Sequence, residues 1–109
     1  MNSQLKKGVL ELCVMVILNK KDCYGYELVE TLSEHISVVE GTIYPLLRRL
    51  LKEGYFETYL QESGEGPSRK YYKLTELGRK TMHEMLQEWR EFSQGVNMII
   101  ERDNIGNQK

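Results

Sequence analysis

The chain has 109 residues, a mass of 12.8 kDa and a formal net charge of −1. That length suits one domain with a modest core, and a charge so near zero gives no overall pull toward nucleic acid or an anionic membrane. No apolar run approaches the roughly 20 residues that span a bilayer, which excludes a membrane helix and leaves the cytoplasm as the expected location. The run Val9–Leu18 is interrupted by Glu11 and lacks a small-residue cleavage pattern, although Lys6 and Lys7 precede it. Cys13 and Cys23 have no CxxC spacing, and His35 and His83 each stand alone. Neither a metal site, a disulfide framework nor a cofactor is expected.

Gln4–Asn19 reads as a helix that is apolar nearly all round. Leu5, Val9, Leu12, Val16 and Ile17 form one stripe, and Leu10, Cys13, Val14 and Leu18 cover much of the remainder. Such a helix must be buried on more than one side: against its own core and a second subunit, or as the central helix of a monomer. Lys20-Lys21-Asp22 is a polar turn. Tyr24-Gly25-Tyr26 opens a second helix to about His35 with Leu28, Val29 and Leu32 inward, and Ile36–Val39 leads on.

Glu40–Gly54 separates into two faces when wound at about 100° per residue. Ile43, Leu46, Leu47, Leu50 and Leu51 face a core. Gly41, Thr42, Pro45, Arg48, Arg49 and Lys52 lie opposite, with Tyr44 at the border. Pro45 is expected in the first turn, where its missing N–H has no partner, and Gly54 supplies the left-handed stop. A front of guanidiniums, an ammonium, a hydroxyl and a phenol is what a helix in the DNA major groove needs. It is also what an ordinary solvated helix face contains.

Tyr55–Gln61 and Arg69–Leu74 read as strands, joined by a loop in which Gly64, Gly66 and Pro67 forbid helix. A glycine loop leading into Arg69-Lys70 suits a wing whose cations neutralise phosphates beside a groove. No GxxxxGK[ST] or GxGxxG is present, so a nucleotide cradle is not expected. Thr75 is a helix N-cap with Glu76 in the first turn. From there to about Ile100 runs the longest helix, with Met82, Met85, Trp89, Phe92, Val96 and Ile99 spaced as a heptad seam. That seam meets either a partner helix or its own domain. Residues 102–109 are polar and read as a frayed tail.

The expected fold is therefore mainly α with a small β-hairpin. The order of elements and several strings resemble the PadR family of bacterial transcriptional regulators, a resemblance that implies a winged helix-turn-helix over residues 1–74 and then a long C-terminal dimerisation helix over 75–101. The strings are Tyr24-Gly25-Tyr26-Glu27-Leu28, Gly41-Thr42-Ile43-Tyr44-Pro45-Leu46-Leu47-Arg48-Arg49-Leu50 with Gly54, and Arg69-Lys70-Tyr71-Tyr72-Lys73-Leu74-Thr75 with Gly78. With one C-terminal helix, the chain looks like the short subfamily.

The resemblance implies a homodimeric repressor, not an enzyme, whose partner is double-stranded operator DNA. It implies DNA contacts from Thr42, Tyr44, Arg48 and Arg49 on the third helix, and from Gly66, Ser68, Arg69 and Lys70 on the wing. Tyr44 and Tyr72 alternatively hold the domain together. It implies dimerisation through Leu5, Val9, Leu12 and Val16 against Met82, Met85, Trp89, Phe92, Val96 and Ile99. Some similar regulators sense planar aromatic compounds between subunits, which makes Met85, Trp89 and Phe92 candidate effector residues; Trp89 otherwise fills the interface. The competing class is a winged-helix protein-interaction adaptor without sequence-specific DNA binding, in keeping with the near-neutral charge.

Overall fold

The structure, a computed structural model, describes residues 3–62 and 64–102, with side chains from Gly8 onward. Its elements are α1 (Ser3–Lys20), β1 (Cys23–Tyr24), α2 (Gly25–Ser33), α3 (Glu40–Lys52), β2 (Phe56–Gln61), β3 (Arg69–Leu74) and α4 (Glu76–Arg102). The mainly helical fold with a small antiparallel sheet is the expected one. The sheet has one strand more than the hairpin read from the sequence. Its order is β1-β3-β2, with Cys23 opposite Tyr72 and Tyr24 opposite Tyr71. The expected polar turn therefore runs straight into an edge strand.

The core lies between α1, the apolar faces of α2 and α3, and the inner face of the sheet. Leu10, Val14, Met15 and Leu18 of α1 meet Leu28 and Leu32 of α2, Ile43, Leu47 and Leu50 of α3, and Phe56, Tyr72 and Leu74 of the sheet. α1 packs on α4, β3 and α2, as an almost uniformly apolar helix must. Met82 of α4 joins this core at 2% exposure, so it is not available to the partner seam expected from its heptad position. Leu12, at 7%, is likewise buried within its own chain. The side chain of Leu5 lies outside the described residues.

α3 ends as expected. Gly54 has φ +86, its N–H donates to the Leu51 carbonyl at 3.1 Å, and the Tyr55 N–H donates to the Leu50 carbonyl at 3.1 Å. This is the paired closure of a Schellman stop. The start differs from expectation. α3 begins at Glu40 with Val39 as N-cap, so Pro45 sits in the second turn, not the first. Its ring therefore leaves the Gly41 carbonyl without a helical donor. Gly41 and Pro45 are both exposed, where water can satisfy that oxygen.

The stop of α3 is tied directly to the start of α4. The Thr75 hydroxyl donates to the Gly54 carbonyl at 2.7 Å and accepts the Gly78 N–H at 3.0 Å, which is the N-cap geometry. Gly78 is required here because a Cβ would lie 2.2 Å from the Tyr55 carbonyl oxygen. The first turns of α4 are thus built into the same body as the sheet. Thr75→Ala should lower unfolding free energy by about 1 kcal/mol, and Gly78→Ala by about 1–3 kcal/mol through overpacking. Urea unfolding midpoints of the two variants check both, and Thr75→Ser should retain most of the wild-type value.

Candidate nucleic-acid interface

Burial of Ile43, Leu46, Leu47 and Leu50 turns the opposite side of α3 to solvent. Gly41, Pro45, Arg48 and Lys52 form its exposed row, Thr42 is exposed on one flank, and Tyr44 is half-buried on the other. Arg48 and Lys52 enter none of the ion pairs among the described residues, which are Lys21–Glu27, Arg49–Glu11 and Arg49–Glu53. Arg49 departs from expectation. Its guanidinium turns off the open front and is held between Glu11 of α1 and Glu53 at the C-cap.

Beside α3, the base of the wing and the start of α2 enclose a cleft of about 290 Å³ lined by Tyr24, Gly25, Tyr26, Tyr44, Arg69, Lys70 and Tyr72. Tyr44 lies over the first residue of α2: a Cβ on Gly25 would sit 2.7 Å from its ring. Tyr44 therefore packs α3 closely against the start of α2, and its side chain also borders the cleft. Tyr24 stands at the N-cap of α2 with no side-chain cap bond. The Tyr24 side chain thus satisfies none of the first-turn N–H groups at the positive end of the helix dipole. Burial pushes the Tyr72 phenol up, with Tyr44 adding to the shift and Arg48 opposing it.

Arg69 and Lys70, neighbours in β3, are held by aromatic rings and not by carboxylates. The Arg69 guanidinium carbon is 4.6 Å from the Tyr24 ring centre, and the Lys70 ammonium is 5.8 Å from that of Tyr72. Cation–π contact restrains a cation while leaving its charge available to an anion. The strand alternation sends the two side chains to opposite faces. Lys70 shares the inner face with Leu60 and Tyr72, and Arg69 shares the outer face with Gln61 and Tyr71. Gly66, at φ +91, and Ser68 are exposed beyond the strands. Sequence reasoning gave no place at this surface to Gly25 and Tyr26, which line the cleft; the signal for them was a tyrosine where Ser, Thr, Asp or Asn would cap a helix.

On the outer sheet face Tyr59 stacks on Tyr71 at 5.6 Å, and Tyr24 meets Tyr71 edge-on at 5.5 Å. The Tyr59 hydroxyl donates to Asp22 Oδ2 at 2.7 Å, and this bond raises the phenol to about 12.

Away from this surface, α1 and α4 border two apolar grooves. One, of about 700 Å³, lies over Gly8, Val9 and Leu12 and is walled by Met85, Trp89 and Phe92, with Glu88 and Glu91 at its edge. The other, of about 430 Å³, runs past Val16, Ile17, Leu32 and Leu86. Leu12 and Trp89 border both. Past Trp89, at 40% exposure, the seam is open: Phe92 is 62% and Ile99 63% exposed, with Val96 between them. Met85 instead packs in part on its own core. Cys13 and Cys23 are free thiols, both pushed up by burial, Cys23 to about 11. Among the described residues no cluster of His, Cys, Asp or Glu could hold a metal ion, and no helix is long and apolar enough to cross a membrane.

Residues 14–84 match the model of the transcriptional regulator PadR-like family. The chain belongs to the PadR-like family. Its members are transcriptional regulators, not enzymes. The fold is similar to that of a PadR-like transcriptional regulator from Bacillus cereus, with a TM-score of 0.83 and 44% identity over 90% of this chain and 97% of that one. It is also similar to Bacillus subtilis PadR solved in complex with operator DNA, with a TM-score of 0.64 and 27% identity over 72% of this chain and 47% of that one. A curated relative, the negative transcriptional regulator PadR of Bacillus subtilis, is 32% identical over 84 residues, and the matched region spans 45% of its length. An uncharacterized protein of Lysinibacillus sphaericus is 30% identical over 91% of this chain and 94% of its own.

The Tyr59–Asp22 bond gives a pH test of the sheet's outer face. A raised phenol favours the folded protein fully below the ordinary tyrosine range near pH 10. That contribution disappears as pH climbs through about 12. In an ultraviolet tyrosinate titration, one late ionisation should be lost in Tyr59→Phe and return toward the ordinary range in Asp22→Asn.

Proposed function

We propose that this chain is a sequence-specific DNA-binding homodimer that represses transcription and is released by a planar aromatic effector. The observation that carries the DNA-binding part is the exposed polar row of α3 beside a cleft that is lined by two cations of the wing. Arg48 and Lys52 stand on the exposed row of α3, and Arg69 and Lys70 border the adjacent cleft. α3 supplies the element for a major groove, with Arg48 as reader and Thr42 and Tyr44 at its margins. The cleft at the start of α2, which has no side-chain cap, suits a backbone phosphate, which would meet the helix dipole and Lys70. Gly66 and Ser68 at the wing tip would follow the neighbouring groove.

The dimer rests on the exposed apolar stretch of α4. Phe92, Val96 and Ile99 present a stripe that a lone chain leaves in water, and Val16 and Val9 of α1 offer the complementary surface. A two-fold pairing would bring two Trp89 side chains toward each other across the α1 groove. Two indoles can sandwich a flat ring, and Glu88 and Glu91 would favour a cationic one.

The experiment is selection of genomic DNA fragments from the source organism by purified protein. Enrichment of one or a few sites with two-fold symmetry supports a dimeric regulator. Absence of enrichment at low salt, with the protein folded and dimeric, favours a protein-interaction adaptor instead. On a selected site, Arg48→Ala should cost about 1–3 kcal/mol and relax preference at one base pair. Lys70→Ala should weaken all sequences alike and reduce the salt slope by about 1. Trp89→Ala should abolish binding of aromatic cations, read by fluorescence or calorimetry, while sedimentation still shows a dimer; a monomer would make Trp89 structural.

A further inference from the structure

Arg48 and Arg49 are adjacent, of the same type, and on the same helix, yet their surroundings differ. The Arg49 side chain is 35% exposed and paired to Glu11, whose side chain is 20% exposed, and to Glu53. Glu11 belongs to α1 and lies 38 positions away in sequence. Among the described residues, Arg49–Glu11 is the one side-chain hydrogen bond or ion pair that joins α3 to another helix. The other contacts that hold α3 are the burial of Ile43, Leu46, Leu47 and Leu50, the Tyr44 ring over Gly25 and, just past its last turn, the Thr75 hydroxyl on the Gly54 carbonyl. Apolar burial sets which side of α3 turns inward but acts without direction on each side chain, whereas the charged hydrogen bond to Glu11 is directional and joins α3 to a second helix.

We propose that Arg49 is a positioning residue. Clamped to Glu11, it narrows the rotation of α3 that the apolar face leaves open, aims Arg48 and Lys52, and ties that rotation to α1. This rests on the DNA-binding reading above. The tie reaches further, because Glu11 adjoins Leu12 and lies one turn after Gly8, and both of these line the larger α1–α4 groove. A molecule that shifts α1 in that groove moves the carboxylate that holds α3.

The decisive variant is Glu11→Gln. It removes a negative charge from the protein, which by Coulomb attraction alone tightens DNA binding. The clamp demands the opposite. Affinity for a selected site should fall about 5- to 10-fold in Glu11→Gln and in Arg49→Gln alike. The double variant should be no weaker than either single one, and affinity for random duplex should follow charge alone, rising slightly in Glu11→Gln and falling slightly in Arg49→Gln. A global loss of stability would not reproduce this pattern, because it lowers specific and random binding together. Urea unfolding of the same four proteins confirms that each is folded at the assay conditions and reads the Glu11–Arg49 coupling without DNA. The proposal is overturned if Glu11→Gln binds as well as wild type or better while Arg49→Gln loses affinity or salt slope, since Arg49 then touches DNA itself. A wild-type protein that binds no duplex overturns the DNA-binding reading and the proposal together.

Discussion

Everything in this chain is arranged around the burial of α1. Leu10, Val14, Met15 and Leu18 are all but inaccessible, and no single neighbour could cover them. α2, α3, the inner sheet face and the first turns of α4 each supply part of the lid. The sheet can do so because β1 is inserted at its edge, placing Cys23 and Tyr72 side by side beneath α1. At about 25 cal/mol per Å², this convergence is the principal force holding the helices at their relative angles. It is also incomplete. Val9 and Val16 remain outside the lid, facing the grooves that α4 borders, and the seam of α4 beyond Trp89 lacks a cover of its own. A helix buried on three sides within one chain and open on the fourth is the physical ground for expecting a second copy.

The second organising feature is how the cations are used. A net charge of −1 conceals two populations. Among the described residues, Lys21 and Arg49 are paired with carboxylates, while Arg48, Lys52, Arg69 and Lys70, on α3 and the wing, are among those that are not. Two of these, Arg69 and Lys70, are steadied by tyrosine rings instead. An aromatic restraint lowers the entropy lost when a side chain is later immobilised, without neutralising its charge. That combination is useful at a surface intended for phosphates, and it explains why the wing carries so many tyrosines close to its cations.

Much of this was legible in the sequence because it depends on local rules. The boundaries of α1, α3 and α4 follow apolar periodicity, Gly54 and Thr75, and the strands follow their alternation. What was not legible depends on partners distant in the chain. A two-residue strand at Cys23–Tyr24 has no periodicity to detect; it exists because β3 lies beside it. Met82 obeys the heptad spacing as well as Phe92 does, but spacing cannot say which protein's core a residue enters. The sequence placed Pro45 in the first turn because that is where proline is cheapest. The chain instead accepts an unpaired carbonyl at Gly41, on an exposed side where water replaces the lost donor.

Arg49 is the sharpest case. Helical geometry turns successive residues by about 100°, so Arg48 and Arg49 cannot share a direction. One must lean toward a flank. A helical projection assigns both to the polar side, since neither faces the core. What distinguishes them is an acid on another helix: Glu11, the residue that breaks the apolar run of α1. Read alone, Glu11 is an interruption in a hydrophobic segment, tolerable only if the carboxylate finds a partner as it is drawn in. Read with the fold, that partner is a cation on α3. The charge that makes α1 imperfectly apolar is thus the same one that orients the helix carrying the proposed DNA-reading side chain.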